Sequence, residues 1–157
     1  VSNILWRERR LLELLVFKLE EEQLVLAAGR SRWLPHATRE VETVLAQLKR
    51  LELERSLHVE ALARALGRPA NPSLRELAES TPAPWDTIFT EHRRALMELA
   101  AEIDGVAKAN RDLLSRGQQA TREALAAIGE IELDTYTPTG VQTADRVPTA
   151  RLIDEAM

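Results

Sequence analysis

No proline interrupts the chain between Pro84 and Pro138, and through most of that interval apolar residues recur at alternating steps of four and three. From Trp85 the steps reach Phe89, His92, Leu96, Leu99, Ile103, Val106, Asn110, Leu113, Gly117, Ala120 and Ala124. Spacing that averages 3.5 residues keeps one face of a helix turned toward a partner helix, which is coiled-coil packing. The pattern predicts one helix over about 85–128, roughly 65 Å long at about 1.5 Å per residue. Large residues occupy the first half of its seam. Gly117, Ala120 and Ala124 occupy the second, either as a tapered end that a partner backbone can approach or as a fraying helix end.

The remaining prolines sort the rest of the chain, because each falls at or beyond the end of a periodic segment, where the loss of its N–H is tolerated. A first helix is expected over about 3–28, with Ser2 as candidate N-cap and Gly29 at its C-terminal end. Its stripe is Leu5, Leu12, Leu15, Leu19 and Leu26, widened by Ile4, Leu11, Val16 and Val25. A second is expected over about 34–66, with Pro35 in its first turn and Gly67 stopping it. Its stripe runs Leu34, Ala37, Val41, Val44 or Leu45, Leu48 and Leu51, then through Leu57, Leu62 and Leu66. Ser73 and Glu76 have capping-box spacing and open a short helix over about 74–80. The fold class predicted is all-α: an elongated antiparallel three-helix bundle or coiled coil, residues 1–129, with a short connecting helix and a flexible C-terminal tail, residues 130–157.

Composition sets the boundaries of function. Hydrophobic residues make up 45 % of the 157, enough for a core, while aromatics are only 4 %. The absence of cysteine excludes disulfides, thiolate metal sites and cysteine nucleophiles. No apolar run approaches the length of a membrane span, and Arg7, Arg9 and Arg10 precede an amphipathic pattern rather than a leader, so a soluble chain without membrane insertion is expected. The net charge of −4 resides in residues 130–157, where six carboxylates face two arginines; the rest is balanced. A balanced body with an acidic end argues against nucleic-acid binding, which needs a concentrated basic face.

Catalytic and metal chemistry finds little support. His36, His58 and His92 are far apart, none sits in H-E-x-x-H, and no Gly-rich phosphate loop or nucleophile motif occurs. Neither cofactor nor metal is expected, and no enzymatic activity. His92 could serve histidine phosphotransfer, but its position on the seam between Phe89 and Leu96 favours a packed structural role. The arginines at 7, 9, 10, 30 and 32 read as solvated helix surface. Trp6 and Trp33 either cap the core or anchor a partner, with capping favoured. Asn110, polar within an apolar seam, is expected to fix the register of the long helices.

Certain runs carry a family resemblance: Leu11-Leu12-Glu13-Leu14-Leu15 continuing through Lys18-Leu19-Glu20-Glu21-Glu22, Ala27-Ala28-Gly29-Arg30 before Trp33-Leu34, Ala109-Asn110-Arg111-Asp112-Leu113-Leu114, and Arg151-Leu152-Ile153-Asp154-Glu155-Ala156. In this order, nearly end to end, they resemble the FlgN family of flagellar type III export chaperones, particularly its actinobacterial-type members. The resemblance implies a cytoplasmic chaperone that binds hook-filament junction proteins (FlgK- and FlgL-like), prevents their premature assembly, and delivers them to the export gate through an FlhA-like component. It implies a client surface on the end of the last helix and the tail, placed here at Leu113, Leu114, Gly117, Ala120, Leu125, Ile128, Ile131, Leu133, Leu152, Ile153 and Met157. It also implies gate docking at Tyr136, the sole tyrosine. A different reading of the same seam is a structural coiled-coil adaptor that self-associates, for example as a homodimer.

Overall fold

A computed structural model of the chain describes residues 1–65, 67 and 72–134, with the backbone alone for 130–134. Among the described residues the regular elements are α1 (Ser2–Ala27), a 3-10 turn (Ser31–Trp33), α2 (Leu34–Ala65), α3 (Leu74–Ser80) and α4 (Trp85–Asp134), with no strand. The all-α bundle expected from the sequence is the fold observed.

Helix ends follow local chemistry. Val1, rather than Ser2, is the N-cap of α1 and makes no side-chain cap bond; Ser2 is already helical. The C-terminus is a glycine stop as expected. Gly29 takes φ +63°, its N–H bonds Leu26 O at 3.1 Å, and the Arg30 N–H bonds Val25 O at 3.1 Å, satisfying carbonyls that the helix leaves open. Gly67 likewise takes φ +62° just beyond α2. At α3 the capping box forms: Ser73 Oγ accepts from Glu76 N at 3.2 Å and Glu76 Oε2 accepts from Ser73 N at 2.7 Å.

Two expectations need correction. On α2 the buried residues are Val41, Val44, Leu51, Val59 and Ala63, while Leu45 and Leu57 are exposed. At about 100° per residue Leu57 lies roughly 240° around the helix from Leu51, and Val59 only about 80°; the expectation followed leucines where the angle favours valine. The last helix also runs past Ile128, through Gly129, to Asp134. A glycine inside a helix costs about 1 kcal/mol without breaking it, and the next true breaker is Pro138.

By its internal contacts the chain divides into two units, Val1–Gln118 and Gln119–Met157. The first unit holds two apolar clusters. One joins all four helices through Leu5, Val59, Leu77 and Phe89, flanked by Val1, Leu62, Leu74, Ala78 and Leu96. The other packs Leu15 and Leu19 of α1 on Val41 and Val44 of α2, with Leu48 of α2 and Ile103, Val106 and Ala107 of α4 against them. The clustering of Leu5 with Val59 and the bond from Thr38 to Glu22 make α1 and α2 antiparallel; Leu5 beside Phe89 and Leu19 bonded to Asn110 run α4 parallel to α1. α3 supplies Leu77, 1 % exposed, as a plug in the first cluster.

In the second unit, residues 119–134 are helical, and Gln119 donates to Glu123 at 2.7 Å along the helix surface. The expected tail from 135 onward, with Tyr136, Leu152, Ile153 and Met157, lies outside the described residues, as does Leu66.

Candidate functional site

His92 is 3 % exposed. The Trp6 indole meets its ring edge-on with centroids 4.9 Å apart, and Ser2 Oγ stands 3.5 Å from Nε2. Burial, and then the Arg9 guanidinium, push the imidazole below its ordinary pKa, with Glu91 opposing them. A phosphoryl acceptor must be reachable by its donor, and this ring is covered, so the packed structural role stands and the phosphotransfer reading falls. Trp6 closes over His92 while remaining 49 % exposed; Trp33, 46 % exposed, lies against His36 with Arg32 over its ring. Among the described residues, no three His, Asp or Glu side chains are grouped as a metal would require.

Asn110 sits at the junction of the long helices. Its side chain is buried, and Nδ2 donates to Leu19 O at 2.9 Å and to Glu22 Oε2 at 3.1 Å, both on α1. Glu22 Oε1 in turn accepts from Thr38 Oγ1 of α2 at 2.7 Å. One carboxylate thus ties α4, α1 and α2 together at a single level. Because the two acceptors face it, the amide must present its nitrogen, and Oδ1 is left buried without a partner among the described residues. The polar break in the seam was legible in the sequence; its partners, Glu22 and Thr38, were not, since an acid and a threonine at a helix flank resemble ordinary surface.

The residues expected to carry the client surface fall on both units. In the first, Leu113 is half-buried, and Leu114 and Gly117 are exposed. In the second, Ala120 is exposed, Leu125 is 64 % exposed and Ile128 is 56 % exposed. The backbone of Ile131 and Leu133 belongs to the last turns of α4 rather than to a loop. The large seam residues therefore pack from Phe89 to Leu113, while the small-residue half of the seam is open to solvent.

A second set of exposed apolar residues was not anticipated: Leu14, Phe17 and Leu24 on α1, and Leu53 and Leu57 on α2. Summing about 100° per residue from the buried Leu15 and Leu19 places the α1 trio on the far side of that helix. The signal was present in the spacing, hidden by leucines on every face of α1.

This fold defines an all-α helical-bundle protein whose last helix carries exposed apolar side chains. Among the described residues, no helix is long and apolar enough to cross a membrane. A family model described as FlgN protein matches residues 1–144, and the chain belongs to the FlgN family, a family of flagellar export chaperones. Neither the curated proteins nor the solved structures give a match.

Proposed function

We propose that this chain is an export chaperone for hook-filament junction proteins of the FlgK and FlgL type, holding their amphipathic helical ends until delivery to an FlhA-like gate component. What supports the reading is family membership together with the exposure of Leu125 and Ile128 on a stretch of helix that also carries Ala120, Ala124 and Ala127. An amphipathic client helix needs a partner for its apolar stripe, and laying it against another helix is a recurrent way to provide one. Ala120 and Ala124 leave space for close backbone approach, and Leu125 and Ile128 supply anchors. Ile131, Leu133, Leu152, Ile153 and Met157 extend the client set along the chain, Leu113, Leu114 and Gly117 add to it from the first unit, and Tyr136 is the gate contact. In this account the recruiting end begins on residues 119–134 of α4 and continues along the chain into 135–157.

Covering the exposed parts of Leu125 and Ile128 is worth on the order of 2 kcal/mol together, about 30-fold in affinity. Leu125→Glu/Ile128→Glu should leave the helical signal unchanged and reduce co-purification with a junction protein by about that factor. Unchanged capture would contradict the reading, and so would capture by a chain truncated after Gly129 that equals the full chain's.

A further inference from the structure

Within the first unit, α1 and α2 enclose an open groove of about 390 Å³, lined by Arg7, Arg10 and Leu11 on one side and Gln47, Arg50, Leu51 and Glu54 on the other. Arg7 is committed, holding Glu54 through bonds of 2.9 and 3.1 Å. Of the neighbouring charges, Arg9 pairs with Glu13 and Arg55 with Glu8. Within the groove lining, Arg10 and Arg50 differ from Arg7. Both are exposed, they come from different helices, and neither carries an ion pair among the described residues. Between them the floor is apolar, with Leu51 3 % exposed.

We propose that this groove binds a short acidic peptide segment of a protein partner, with carboxylates on Arg10 and Arg50, an amide contact from Gln47, and an apolar side chain over Leu11 and Leu51. Planar guanidinium forks match carboxylates, and two such forks flanking an apolar floor read a segment that alternates acid and apolar residues. The groove is one to two helical turns long, which limits the segment to a few residues. A nucleic-acid strand fits poorly, because its long run of phosphates would meet a body with no further basic surplus. The site shares no residue with the Leu125 and Ile128 surface, and its fate does not depend on the chaperone reading.

The test is fluorescence anisotropy of the full chain with a labelled peptide of alternating Glu and Leu, its Gln-for-Glu counterpart, and a single-stranded oligothymidine. The Glu peptide should bind, weaken as salt is raised, and exceed the Gln peptide and the oligonucleotide. Arg10→Glu/Arg50→Glu should weaken it about tenfold, since each exposed pair contributes only a few-fold. Gln47→Glu, which introduces a carboxylate without removing an arginine, should weaken it as well, with the circular dichroism of both variants unchanged. Charge reversal at Arg30 and Arg32 should have no effect. Equal binding of the Gln peptide, tighter binding of the oligonucleotide, no binding of the Glu peptide, or indifference to both groove variants would overturn the proposal.

Discussion

Replacing Asn110 by alanine tests how the three long helices are held in register. The substitution removes a bond to the Leu19 carbonyl and one to the Glu22 carboxylate. A neutral bond contributes about 1 kcal/mol; a bond to a charged group contributes more, reduced here because Glu22 is only half-buried. Loss of the partnerless Oδ1 offsets part of this. The net expectation is a destabilisation of about 2 kcal/mol, or roughly 4–8 °C in melting temperature for a chain of this size. Asn110→Asp should be worse, because it sets a second carboxylate against Glu22 and turns an acceptor toward the Leu19 carbonyl. Asn110→Leu should recover stability relative to alanine by filling the site, yet loosen the alignment of α4. Urea unfolding followed by circular dichroism measures all three. A Thr38→Val cycle with Asn110→Ala should show coupling above about 0.5 kcal/mol, carried by the shared Glu22. An alanine variant within 0.5 kcal/mol of the parent, or an aspartate variant as stable as the parent, would refute the role assigned to this node.

Two further outcomes follow from the same structure. His92 in the folded chain lies below its ordinary value of 6.5, so between the folded and unfolded values the unfolded chain binds the extra proton. Its contribution is present above pH 6.5 and is lost as pH falls from that value toward the lower folded one, by at most about 1.4 kcal/mol per pH unit. His92→Gln should flatten this slope in urea titrations carried from about pH 7 down to about pH 5. Comparing the two chains cancels Glu8, which burial raises against the pull of Arg55 and which therefore has the opposite pH dependence; equal slopes would contradict the assignment. Ser73→Ala should cost about 1 kcal/mol in the same assay, since it opens the capping box that seats Leu77 in the first cluster.

Helix order, the glycine stops at 29 and 67 and the capping box at Ser73 were legible because each depends on residues close in sequence. So was the seam from Phe89 to Leu113, whose repeat is long enough to exceed chance. Legibility failed where an angle had to be chosen among leucines, at Leu57 against Val59, and where a helix crossed a glycine without a proline to end it. It failed again for the polar node: Asn110 stood out as a misfit, but Glu22 and Thr38 acquire meaning only when α1 and α2 are folded against α4. Of the residues assigned to the client surface, Ala120, Leu125 and Ile128 are exposed.

Hydrogen–deuterium exchange of the chain, alone and saturated with a hook-filament junction protein, addresses client binding most directly. Backbone amides of residues 119–134 should gain protection in the complex while those of α1 and α2 stay unchanged. Protection confined to residues 1–118, with 119–134 exchanging as fast as in the free chain, would contradict the account.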